Sequence, residues 1–359
     1  MEDVERYKQR HQDFWQLKET RQPLLGFTLG AGSDSWSYWQ NNKAAQDLFT
    51  RPHINADDID PQDFVEDQRT YLNQSRLIDD DICRTAIPLA SIPWMEAILG
   101  CPVEGSGAGI KSREILDRPG SFEEKQFDPE NPWVRKYLEF IEVYKKAFGK
   151  TFPVGQSVIR GPSDLACALL GAEKATMVLL EEAEDMQRLL TWITAQLEAF
   201  LRFQLDCLPR FRDGYVIGQY EIWAPGKVLR IQEDFAVLYS PDLYQEFLRP
   251  LDRKLAEIAP YSLLHSHATS LFLIDHFLSI GGIRAFQVSK DAGGAELSAM
   301  IPALQKIQQA GKPLILKGQF TSDDVRLMKK QLSVPGLCVQ PVVKNLEEAG
   351  EMLPDLQRW

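Results

Sequence analysis

The chain has 359 residues, 44% of them hydrophobic and 25% charged, an ordinary globular composition with apolar material for a sizeable core. A formal net charge of −11 and the lack of any Lys/Arg run exclude a nucleic-acid partner. Five scattered cysteines without Cys-x-x-Cys spacing, no apolar stretch near membrane-span length and a charged N-terminus point to a cytoplasmic protein with reduced thiols, no signal peptide and no membrane partner.

Residues 1–20 alternate charge with Tyr7, Phe14, Trp15 and Leu17, the pattern of an amphipathic helix packed on a larger body. Pro23–Leu29 is an apolar run closed by Gly30, Ala31 and Gly32, which reads as a first strand and a turn. That turn lacks the full glycine pattern and the Lys-Ser or Lys-Thr of a phosphate loop, so nucleotide binding is excluded there. Asp34 to Tyr38 reads as a loop carrying exposed aromatics. The rest of 21–150 is irregular, except that Pro93 can start and Gly100 can stop a helix over Ile92–Gly100.

From 151 to 359 short β-branched runs alternate with longer helical patterns, the rhythm of βα units around a parallel sheet. The expected strands are Phe152–Ile159, Gly214–Gln219, Val228–Gln232, Ser262–His265, Ile283–Val288, Pro313–Lys317 and Gly336–Val339. With Pro23–Leu29 they make about eight, the number that closes a (β/α)8 TIM barrel, and 1–359 is expected to form one domain. Ser240, Pro241 and Asp242 are start signals for a helix that Pro250 should kink or end.

In such a barrel the working site lies where the strands end, so the polar residues at strand ends are the candidates. They are Ser157 and Arg160; Gln219, Tyr220 and Glu221; Gln232 and Asp234; His265 and His267; Gln287, Ser289 and Asp291; and Lys317 and Gln319. In a strand, residues two apart share a side, so His265 and His267 can converge on one ion or one substrate, or form a hydrogen-bonded pair. A catalytic zinc takes three protein ligands, and Cys338 in the last strand is either the third ligand or a small apolar core residue. The turn after Arg160, with Gly161 and Pro162 opening a helix, is either an anion site or a plain strand-to-helix connection.

Several of these pieces are similar, in order, to motifs of the uroporphyrinogen decarboxylase superfamily. The run Gly161-Pro162-Ser163-Asp164-Leu165-Ala166 resembles its Gly-Pro-Phe-Thr-Leu-Ala turn. Gln232-Glu233-Asp234, Tyr239-Ser240-Pro241-Asp242, Phe247, Pro250 and His265-Ser266-His267 follow its order of Asp, Ser-Pro-Glu, aromatic, Pro and His-Ser-Cys/His. The resemblance covers roughly 151–353, with a weaker echo from Trp94 to Cys101. It implies a barrel of that superfamily, with two main chemistries. The decarboxylases of tetrapyrrole biosynthesis grip their substrate through an Arg-Gln-Ala-Gly-Arg motif, and the stretch Arg21-Gln22-Pro23 to Gly32 lacks that arginine pair.

The other branch comprises cobalamin- or coenzyme-M-dependent methyltransferases, which hold zinc through a His-x-Cys pair and a later Cys; here His267 takes the place of the first Cys and Cys338 that of the second. That branch implies zinc-assisted methyl transfer between a small methylated substrate and a corrinoid or thiol acceptor, a corrinoid protein as partner, and a homodimer as the assembly to test. Zinc would be bound by His265, His267 and Cys338. Asp234, Tyr220, Glu221 and His265 would be the catalytic or orienting groups. Arg160, Ser157, Gln219, Trp223, Gln232, Gln287 and Lys317 would contact substrate. A decarboxylase would need no cofactor, and a third expectation is a tetrapyrrole- or corrinoid-binding protein without chemistry.

Overall fold

Period-two alternation in the second half of the chain builds a parallel sheet with two different faces. The structure, a computed structural model, describes residues 2–30 and 42–359, with side chains from Tyr7 onward. The Asp34–Tyr38 loop and the Ala31–Gly32 part of the first turn lie outside the described residues. The strands are β1 (Leu24–Leu25), β2 (Thr28–Leu29), β3 (Val103–Gly105), β4 (Ile110–Ser112), β5 (Tyr215–Ile217), β6 (Ile222–Ala224), β7 (Val228–Gln232), β8 (Tyr261–His267), β9 (Ile283–Lys290), β10 (Leu314–Gly318) and β11 (Leu337–Val343).

A seven-stranded parallel sheet runs β1-β11-β10-β9-β8-β7, with β2 also paired to β11, so the first strands lie against the last. Leu229, Ile231, Leu264, Phe286, Val288, Leu316 and Val339 face the surrounding helices in the main core. The opposite face is graded. Its first tier is apolar, with Leu24, Val228, Leu263, Ala285, Ile315 and Cys338 in one buried cluster. Two residues further along the same strands stand Arg230, His265, Gln287, Lys317 and Gln340, and beyond them Gln232, His267 and Ser289. Because side chains two apart share a face, the sequence places a greasy floor beneath a polar mouth.

Two expected strands take other forms. Gly214–Gln219 is one arm of an antiparallel hairpin, β5–β6, whose Ile217, Tyr220, Ile222 and Ala224 fill the apolar tier of the sheet's inner face. Its turn carries Glu221 at φ +57°, and Gly218 is required because a Cβ there would lie 2.4 Å from the Gln156 carbonyl oxygen. Phe152–Ile159 contributes a single parallel bridge, Ala86 to Val154, rather than a ladder. Within 21–150 the structure adds the β3–β4 hairpin, and the expected helix is Trp94–Ile98 with Pro93 as its cap.

The N-terminal helix Glu2–Trp15 buries His11, Phe14 and Trp15. Ser240 caps its helix by accepting from the Leu243 N–H at 3.2 Å. Pro250 does not end that path: a π-helical turn over Tyr244–Leu248 precedes it, and helix Arg249–Ala256 starts with Pro250 in its first turn, where the missing N–H costs little. All five cysteines are free thiols, and among the described residues no helix is long and apolar enough to cross a membrane.

Candidate functional site

A cavity of about 480 Å³ opens at the polar end of the inner face, lined by Arg160, Gln219, Tyr220, Arg230, Gln232, Asp234, His265, His267, Asp291 and Lys317 among others. Candidates chosen only for ending strands therefore converge in space. At the centre, donor atoms of Asp234, His265 and His267 all lie within 4.8 Å of one another. The Nε2 atoms of the two imidazoles are 3.1 Å apart, and each is 3.7 Å from an oxygen of Asp234.

The far sides of both rings are committed. His265 Nδ1 contacts the Gln287 side-chain oxygen, which can only accept, while Gln287 Nε2 donates to Ser289 Oγ at 3.1 Å and fixes the amide that way round. The Tyr220 hydroxyl lies 2.9 Å from the same Nδ1. His267 Nδ1 lies 2.8 Å from Asp291 Oδ1. Both Nδ1 atoms thus carry hydrogen, and when the rings are neutral both Nε2 lone pairs point into the cavity.

Electrostatics separates the three groups. Burial, reinforced by Arg230, pushes His265 down to about 3. Burial also opposes charge on His267, but Asp234 and Asp291 outweigh it and raise the ring to about 10; at 3.7 Å Asp234 acts through charge rather than a hydrogen bond. Burial would raise Asp234, yet the histidines and Arg230 hold its carboxyl well below the usual range. Gln232 Nε2 steadies that carboxylate by donating to Oδ2 at 2.9 Å, while Oδ1 is buried without a hydrogen-bond partner.

These residues fit a metal ion. Tetrahedral donors 2.0–2.1 Å from zinc stand about 3.3–3.4 Å apart, close to the spacings here. Histidine ligands with the second ring nitrogen held by an oxygen acceptor are the usual arrangement around such ions, and the orphaned Asp234 Oδ1 supplies a third donor. Cys338 does not belong to the set. It is fully buried in the apolar tier, paired in register with Leu24 and Ile315, and burial pushes its thiol well up, away from the thiolate that metal binding needs.

Other assignments need correction. The Glu221 carboxylate is buried against Arg84 Nη1 and the Thr85 N–H, each at 3.0 Å; it anchors the hairpin and does not line the cavity. Trp223 packs under the N-terminal helix, its N–H donating to His11 Nδ1 and its Nε1 to the Phe211 carbonyl. Ser157 Oγ donates to the Pro88 carbonyl, away from the cavity. Gln287 acts on His265 rather than on the open space. The turn after Arg160 is no anion site: the Gly161 N–H is taken by Asp164, the Ser163 N–H by Glu233, and Arg160 faces Glu96 at 3.1 Å. Gly161 is nonetheless required, because a Cβ there would lie 1.7 Å from the Gln232 carbonyl oxygen.

Arg230 escaped the sequence reading because it sits in mid-strand. Its signal was a lone charge in step with Val228 and Gln232 on the inner face.

No described protein family matches the sequence, and no curated protein matches it. Among solved structures, a methyltransferase from Methanosarcina mazei is similar, with a TM-score of 0.65 over 98% of each chain at 12% identity. At that identity the likeness shows a common fold over the whole chain and leaves the reaction to the site.

Proposed function

We propose that the chain is a (β/α)8-barrel enzyme related to the uroporphyrinogen decarboxylase superfamily that transfers a methyl group from a small methylated substrate to a thiol or corrinoid acceptor, with zinc held by Asp234, His265 and His267. The single observation that carries this reading is the facing pair of Nε2 atoms beside an orphaned carboxylate oxygen, with both Nδ1 atoms tied back. The parallel sheet, with its first strands paired to its last, and the fold shared with a methyltransferase support the barrel and the reaction class.

Zinc bound there would supply Lewis-acid activation of the acceptor or donor atom at an open position. The protein's own part is to keep the site rigid and dry. Gln287 and Asp291 hold the ring tautomers, Gln232 holds the Asp234 carboxylate, and the hairpin tip at Tyr220 closes the floor. Decarboxylation of a poly-carboxylate tetrapyrrole fits less well, because two cations at the cavity are already engaged, Arg160 with Glu96 at 3.1 Å and Lys290 with Asp324 at 3.6 Å.

The test is the zinc content of purified protein and variants. Near-stoichiometric zinc, abolished by His267→Ala or Asp234→Ala and retained by Cys338→Ser, is the expected result. Zinc content that survives both cavity substitutions would overturn the assignment.

A further inference from the structure

Building on that metal-site reading, we infer that the small substrate carries a carboxylate, which docks on the guanidinium of Arg230. Arg230 stands on the inner face of β7, only 4% exposed, and lines the cavity. Its contacts are few and uncharged: Nε donates to the Tyr220 hydroxyl at 3.2 Å and Nη1 to the Ile159 carbonyl at a long 3.4 Å. Among the described residues no carboxylate oxygen lies within 4.0 Å of it, and Nη2 has no protein acceptor. A buried cation left in this state is expensive unless a partner arrives.

The described residues offer none. The negative charge that Arg230 feels across the cavity is that of Asp234, and a metal ion would engage that carboxylate. Arg160 and Lys290 differ from Arg230 in already facing acids. What remains are the uncommitted Nη donors of a guanidinium that lines the cavity, a group whose planar geometry suits a carboxylate.

The position of the fork also constrains substrate length. Arg230 Nε reaches the Tyr220 hydroxyl, which in turn lies 2.9 Å from His265 Nδ1, so the guanidinium stands one side chain behind a metal donor. A carboxylate docked there leaves only a short linker to a reacting atom at the metal, and Val158, Ala292 and Val342 offer apolar wall for that linker. The expected substrate class is therefore a short-chain carboxylic acid bearing the thiol or methylated heteroatom a few bonds away.

Calorimetric titration of the zinc-loaded protein with mercaptoacetate and with 2-mercaptoethanol tests this, since the two probes share a thiol and differ in the carboxylate. Mercaptoacetate is expected to bind at least tenfold more tightly. Arg230→Gln should weaken mercaptoacetate by about 10- to 100-fold while leaving 2-mercaptoethanol binding and zinc content unchanged, and Arg230→Lys should restore part of the preference. Equal binding of the two thiols, or a preference that survives Arg230→Gln, would overturn the inference. A protein that binds no metal sinks the metal-site reading alone, and the carboxylate inference is then read on the metal-free protein with propionate against propionamide: an Arg230-dependent preference for propionate supports it, and equal binding overturns it.

Discussion

His265 and His267 present their Nε2 atoms to each other at 3.1 Å, while Gln287 and Asp291 accept hydrogen from the opposite ring nitrogens. Two lone pairs do not face each other at that distance without a positive charge between them. Asp234 and Asp291 raise His267 to about 10, so in the metal-free protein that charge is a proton on His267, and a metal ion bound there would have to displace it. Zinc binding at pH 7 should therefore release about one proton, measurable by calorimetry in buffers of different ionisation enthalpy. Binding without proton release would mean that the ion sits elsewhere.

Asp291 is not one of the proposed ligands, yet it holds one of them, His267, through Nδ1 at 2.8 Å. Loss of such a partner weakens metal affinity by about 10- to 100-fold. Asp291→Asn should show that loss in a competitive chelator titration, with thermal stability little changed because Asp291 is partly exposed.

Arg84 is buried between Asp80 and Glu221 and also donates to the Phe27 carbonyl at 2.7 Å, which ties the first strands to the hairpin. Burial pushes Asp80 up to about 7 despite Arg84, and it raises Glu221 although Arg84 and then Lys317 oppose it. Arg84→Met should destabilise the protein by about 3–5 kcal/mol in urea unfolding. The double variant Arg84→Met with Glu221→Gln should recover part of the loss.

His11 is fully buried and satisfied as a neutral ring, with Nδ1 accepting from the Trp223 N–H at 2.9 Å and Nε2 2.7 Å from the Asp81 carbonyl oxygen. Burial lowers it from 6.5 to about 4, so its contribution is present above pH 6.5 and lost as pH falls through 4. The loss amounts to about 3 kcal/mol. His11→Gln should be less stable than the parent at pH 7 and show a flatter decline between pH 6.5 and 4 in denaturant titrations.

Strands β7 to β11 were legible as short apolar, β-branched-rich runs between helical patterns, and the polar residues at their ends include Asp234, His265, His267 and Lys317, which line the cavity. The β5–β6 hairpin was not: Tyr215–Ile217 is as apolar as a buried parallel strand, and the left-handed position of its turn is held by Glu221 rather than by a glycine. Cys338 misled because strand alternation does place it on the inner face. Its height along the strand, beside Leu24, Leu263, Ala285 and Ile315 in one buried cluster, puts it in the apolar tier. Arg230 has the converse problem, a charge in mid-strand rather than at a strand end, which the cavity nonetheless reaches.

X-ray absorption spectroscopy of the zinc-loaded protein tests the ligand set most directly, because sulfur and nitrogen or oxygen donors differ in both distance and scattering. Asp234, His265 and His267 should give a shell of nitrogen and oxygen alone at about 2.0–2.2 Å, unchanged in Cys338→Ser. A sulfur shell at about 2.3 Å that disappears in Cys338→Ser would contradict the assignment and return the thiol to the metal.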